Sequence, residues 1–281
     1  MKTLIVRGLS GAVYVALILF AVLLNTYVFA VVFAILSALT TYEFHILTNK
    51  QEKVAVEPFF GAMLSLLMFA VFFMLNIACK ENLELIDIIY PIILILFLIC
   101  PFYIFIKEII KNKSSNPVNN IAYTFLGQIY IALPFAVLNI VHVRGNSLIL
   151  VALFVIIWAN DTFAYLVGSV FGKHRLCERI SPKKSWEGFF GGTVGALIVG
   201  YVFSLFVGEL GLLQWLVFAL IIVIFGTLGD LFESLIKRTA GVKDSGNIMP
   251  GHGGFLDRFD SLLFVVMPIV IFLLVLRTLW S

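Results

Sequence analysis

KDSGNIMPGHGGFLDRFD, residues 243–260, separates two very apolar runs, residues 214–239 and 261–279. It packs two cations, three carboxylates, a histidine, four glycines and a proline into one short stretch. Each flanking run is about the length that spans a bilayer as a helix, roughly 20 apolar residues. The stretch is thus a polar loop at a membrane surface, and the runs beside it are membrane helices.

The rest of the chain repeats the pattern. Further apolar runs lie at residues 9–24, 27–46, 58–78, 87–106, 121–140, 147–170 and 187–207, so the sequence predicts about nine spans. The expected fold is an all-α, polytopic integral membrane protein. The 281 residues are 62% hydrophobic and only 12% charged, an excess that no water-soluble core absorbs. The first run, behind Lys2 and Arg7, has no clear small-residue cleavage site and reads as a retained helix. A net charge of +3 does not point to nucleic acid. Three isolated cysteines, Cys79, Cys100 and Cys177, give neither a zinc pattern nor a disulfide framework.

Cations set the expected orientation. Sixteen of the 19 lysines and arginines fall on one side of the nine-span layout, leaving Lys80, Arg144 and Arg277 on the other. The positive-inside rule puts the N-terminus and the rich side in the cytoplasm and the C-terminus outside. The layout divides into N-terminal helices, residues 1–140, and a second half, residues 141–281, with cytoplasmic loops 171–186 and 240–260, where any chemistry is expected.

Almost half of the charged residues sit in two windows, residues 161–187 and 230–260, both on the cytoplasmic side. Asp161 and Asp230 lie inside predicted spans. Placing a carboxylate there costs about 2.5–3.5 kcal/mol, so each is expected to serve a function. A structural ion pair, for instance with Lys237, is the bland alternative. Asp230, Ser234 and Lys237 follow i, i+4, i+7 spacing and share a helix face, with Glu233 beside them. Gly251, Gly253 and Gly254 permit close backbone approach and an anion-binding nest. Asp257 and Asp260, three apart at a helix start, are hard oxygen ligands that suit Mg²⁺, and His252 is placed to meet phosphate. In the other window, Lys183, Lys184 and Ser185 belong to a basic loop that can grip anions or merely face anionic lipid.

These residues resemble the signature of the phosphatidate cytidylyltransferases, also called CDP-diacylglycerol synthases. The similarity runs through Ser234, Lys237, Arg238, Lys243, Asp244, Gly246, Pro250, Gly251, His252, Gly253, Gly254, Asp257, Arg258 and Asp260. The earlier window is similar to the family's second conserved region, from Asp161, Ala164 and Tyr165 to Ser181, Pro182, Lys183, Lys184, Ser185, Glu187 and Gly188. The resemblance implies cytidylyl transfer from CTP to phosphatidate with release of pyrophosphate, in a homodimer whose site opens to the cytoplasm. It implies Mg²⁺ held by Asp230 and Asp257, and leaves room for a second cation such as K⁺. Asp260 and Lys237 join those two acids as candidate catalytic residues. Ser234, Arg238, Lys243, Asp244, His252, Gly253, Gly254, Arg258, Lys183, Lys184, Ser185 and Asp161 are candidates for binding substrate phosphates.

Phosphatidate brings its own nucleophile, a phosphate largely dianionic near neutrality because its second pKa is about 6. No protein base is then needed, which fits the lack of a Ser/His/Asp arrangement. A CTP-dependent lipid kinase is the nearest rival and would release CDP. CDP-alcohol phosphotransferases carry a different acid helix, with its last two acids four apart. An ion-coupled transporter would show matching halves and midplane polar groups, and the sequence shows neither.

Overall fold

The computed structural model describes residues 2–81, 86–110, 116–246 and 253–280. Of the residues singled out above, Pro250, Gly251 and His252 lie outside them. The described chain is almost wholly helical and forms two compact units, Met1–Gly145 with Thr239–Asp257, and Asn146–Arg238 with Arg258–Ser281.

The first unit holds α1 (Lys2–Leu24), α2 (Thr26–Thr48), α3 (Pro58–Glu81), α4 (Ile86–Ile110), α5 (Pro117–Gly127), a π-helical turn (Gln128–Ala132) and α6 (Leu133–Arg144). Asparagines set several of the starts. Asn25 accepts from the N–H of Val28 to begin α2, and Asn116 accepts from Asn119, with Pro117 in the first turn of α5. The turn between α2 and α3 is bracketed by Asn49, which bonds both the carbonyl and the N–H of Val56. Residues 117–143 form one continuous apolar span in spite of the π turn. Pro134 has no N–H to offer the carbonyl four residues back, and the widened turn falls just before it. The interior is sealed by Phe29 stacked on His142 at 3.9 Å, by a Ser37–Ser65 hydroxyl bond of 2.6 Å, and by His45, buried against Gly61 and Gly127.

The second unit holds α7 (Ser147–Phe171), a two-stranded hairpin of β1 (Arg175–Cys177) and β2 (Ser181–Ser185), α8 (Trp186–Phe206), α9 (Leu212–Thr239) and most of α10 (Leu256–Trp280). Helices α7 and α8 pack backbone to backbone because small residues line the seam. A Cβ on Gly188 would come within 2.8 Å of the Ala164 carbonyl, and one on Gly192 within 2.6 Å of the Asn160 amide oxygen. Ser261 likewise donates to the Gly226 carbonyl across α9 and α10.

Among the described residues, seven helices are long and apolar enough to cross a membrane, so the chain is a multi-pass membrane protein. Helices α1 and α4 occupy the two other predicted span positions. The all-α expectation needs one amendment. The basic loop at residues 171–186 contains the antiparallel hairpin, in which Arg175 pairs with Ser185 and Cys177 with Ser181.

Candidate active site

The polar residues of the second unit converge from α7, α9, α10 and the hairpin. Asp161 is on α7, Asp230 and Glu233 are on the last third of α9, and Asp260 is in the second turn of α10. Asp230, Glu233 and Asp260 each bring a carboxylate oxygen to within 4.8 Å of the others. Asp161 lies within electrostatic range of Asp230, Lys184 and Arg258. Like charges this close need cations, and two lysines pair with these acids. Lys184 reaches Asp230 at 2.5 Å from the end of the hairpin. Lys237 meets Glu233 at 2.5 Å, with the carboxylate 1% and the lysine 12% exposed.

The pairing differs from the simplest sequence expectation. Asp230 takes its partner from the hairpin rather than from Lys237, two turns along its own helix. Lys237 takes Glu233, one turn away, where side chains of these lengths meet without strain. Ser234 adds a hydroxyl 3.4 Å from Asp230, and Asn160 an amide 3.4 Å from Asp161.

The hairpin that delivers Lys184 is fixed at its base. The carboxylate of Glu187, in the first turn of α8, accepts from the N–H groups of Lys173 and His174 and meets the His174 ring Nδ1 at 2.6 Å. The Trp186 N–H donates to the His174 carbonyl. Ser185 ends the hairpin and starts the next helix. Its buried Oγ caps α8 by accepting from the Gly188 N–H at 3.1 Å. Lys183 is exposed beside it.

The first unit carries the signature loop. Asp257 Oδ2 accepts from the Ser245 N–H at 3.1 Å, the Ser245 hydroxyl at 2.9 Å and the Gly254 N–H at 2.9 Å. Gly253 has φ +80°, a left-handed conformation that any other side chain would strain, and its missing Cβ leaves room for Asp257. Lys243 and Asp244 are exposed on the same segment. Glu43 of α2, 2% exposed, accepts from the Ser245 hydroxyl and from the N–H groups of Phe255 and Leu256. In the second unit, Arg238 is exposed near the end of α9 and Arg258 is half-buried in the first turn of α10.

Sequence reasoning therefore reached most of the acids and lysines. It gave Glu233 no role of its own and overlooked Glu43, Asn160 and the His174–Glu187 clasp. For Glu43 a signal existed, since it is an acid within a predicted span, the same feature that singled out Asp161 and Asp230.

Carboxylates with lysine partners are thus gathered from the helices of a multi-pass membrane protein. The chain matches the cytidylyltransferase family over residues 5–276 and belongs to it. It is 41% identical over 180 residues to the phosphatidate cytidylyltransferase of Staphylococcus saprophyticus, covering 63% of this chain and 68% of that one. The proteins of the same name from Staphylococcus epidermidis and Staphylococcus aureus are 42% and 41% identical over the same length.

Proposed function

We infer that the protein transfers the cytidylyl group of CTP to phosphatidate, giving CDP-diacylglycerol and pyrophosphate for phospholipid synthesis. The observation that carries this is the family match across nearly the whole chain, with relatives of that name more than 40% identical. A phosphate oxygen of phosphatidate attacks the α-phosphorus of CTP, the bond to the β-phosphate oxygen breaks, and pyrophosphate leaves. Both reactants are anions, so the protein's task is to hold them in line and offset the charge that builds on the α-phosphate and the leaving group.

The oxygens of Asp230, Glu233 and Asp260 form a hard donor set of the kind Mg²⁺ takes, and they lie close enough together to share one ion. Asp230 and Asp260 would hold it, with Glu233 behind them already neutralised by Lys237. Bound there, Mg²⁺ would supply positive charge to the phosphate oxygens. Lys184 orients the Asp230 carboxylate and, when a metal relieves it of that charge, is free to turn to a phosphate. Asp257, the second acid that the resemblance assigns to metal, has its Oδ2 held by the N–H groups of Ser245 and Gly254, with the Ser245 hydroxyl also in reach. Arg238 and Arg258 are the further cations of the second unit offered to substrate phosphates.

The nine apolar runs support nine spans, and the lysine and arginine distribution supports a cytoplasmic N-terminus and a site facing the cytoplasm. The C-terminal end of α2 and the first residue of α10 meet through Glu43, which is consistent with that layout. The inner membrane is the bacterial location where such an enzyme would meet phosphatidate. A homodimer is implied by the resemblance alone.

The test is pyrophosphate release by purified protein in detergent, with CTP and Mg²⁺, with and without phosphatidate. Release that needs both the lipid and the metal supports the reading. CDP release in its place would identify a lipid kinase, and no turnover by folded protein would sink the assignment.

A further inference from the structure

We propose that Glu43, in the membrane helix α2, is the positioning residue that ties together the two described ends of the signature loop, residues 243–246 and 253–257. Its carboxylate is 2% exposed in a membrane helix that carries no other acid and no lysine or arginine, a costly place for a charge. It is not left without partners. Oε2 accepts from the Phe255 N–H at 2.8 Å, and Oε1 accepts from the Leu256 N–H at 3.2 Å and from the Ser245 hydroxyl. One side chain thus satisfies the first backbone donors of α10 and anchors the other limb of the loop, more than 200 positions away in sequence. The exchange is mutual, because a helix start needs acceptors and a buried carboxylate needs donors.

The described ends of the loop close around this carboxylate. A Cβ on Gly246 would come within 2.9 Å of the Glu43 carboxyl carbon, and a Cβ on Gly254 would fall onto the carboxylate itself. Two of the glycines in the signature are therefore small because Glu43 occupies the space where their side chains would be. Ser245 completes the linkage, since its hydroxyl lies within hydrogen-bond distance of both Glu43 and Asp257. A hydroxyl has one proton to give, so it donates to one carboxylate at a time. With that proton on Glu43, Asp257 is held by the N–H groups of Ser245 and Gly254. Glu43 touches no reacting atom. It acts through Ser245 and the start of α10, and it fixes where Asp257 sits.

The proposal rests on the cytidylyl-transfer reading only for its kinetic arm. The experiment compares wild-type protein with Glu43→Ala, Glu43→Gln, Ser245→Ala and the double variant Glu43→Gln/Ser245→Ala. The first readout is amide hydrogen exchange over residues 253–257, measured in detergent without substrate. The second is kcat and KM for CTP in the pyrophosphate assay. Glu43→Ala should speed exchange at Phe255 and Leu256 while α3 and α6 stay protected. It should lower kcat by about 100-fold, the scale of a small misplacement at a reacting centre, and change KM for CTP by less than about threefold. Glu43→Gln keeps the shape but loses the charge, and should fall about tenfold. The double variant should be no worse than the more impaired single variant, because both act on one linkage.

Wild-type exchange in the loop of Glu43→Ala, or faster exchange spread evenly over α2, α3 and α6, would overturn the proposal. Should Glu43→Ala fail to insert, Glu43→Gln and Ser245→Ala decide by the same readouts. Should wild-type protein release no pyrophosphate, the proposed reaction fails, and the exchange data still decide the tether.

Discussion

Lys184 and Asp230 meet at 2.5 Å, the lysine carried by a hairpin and the acid by a membrane helix. Both side chains remain partly exposed, at 25% and 34%. A pair kept open in this way can exchange partners when substrate arrives, which a sealed structural pair cannot. Replacing either residue, as Lys184→Ala or Asp230→Asn, should lower kcat by at least about 100-fold. The double variant should lose little more than the worse single one, since residues acting as a unit are not additive. Fully additive losses in a pyrophosphate assay would show that the two work separately.

Glu233 and Lys237 differ in being sealed. Removing one partner leaves an uncompensated charge in the interior, which costs about 3–5 kcal/mol. Glu233→Ala and Lys237→Ala should each unfold earlier in a denaturant series in detergent. Glu233→Met/Lys237→Met should recover much of that loss. If the single variants are as stable as wild type, the pair is more hydrated than its 1% and 12% exposures indicate.

Asp260 shares the three-acid cluster with Asp230 and Glu233. Asp260→Asn keeps the size of the side chain and removes one anionic ligand. The Mg²⁺ concentration for half-maximal activity should rise by about 10–100-fold, with a smaller effect at saturating metal. An unchanged metal titration would take Asp260 out of the ion's coordination. The same titration on Asp257→Asn tests the other acid that the family resemblance implies.

Glu187 holds the base of the hairpin through three donors. Glu187→Ala should loosen residues 173–186, seen as faster protease cleavage there, and should lower turnover about tenfold by letting Lys184 wander. Cleavage unchanged from wild type would mean that the strand pairing alone suffices.

Legibility in the sequence followed chemistry that repeats at short range. The spans were readable because a chain with so many apolar runs of bilayer length can bury them only in lipid. Asp230 and Lys237 were readable because an i, i+4, i+7 face is local. The partner of Asp230 was not, because Lys184 lies 46 positions earlier and nothing in spacing links them. The hairpin escaped notice because strands of three and five residues carry too little alternation to register. Glu43 escaped because its partners lie at the far end of the chain, and only the cost of burying it pointed to it.

The tether from Glu43 to the start of α10 also sets an order of events during synthesis. Leu256 is made 213 positions after Glu43, a delay of about 10–40 s at ordinary rates of translation. Through that interval α2 carries a carboxylate in the membrane whose eventual donors do not yet exist. The unfinished chain is thereby marked by an unmet polar group, and the mark is erased only when the signature loop is complete.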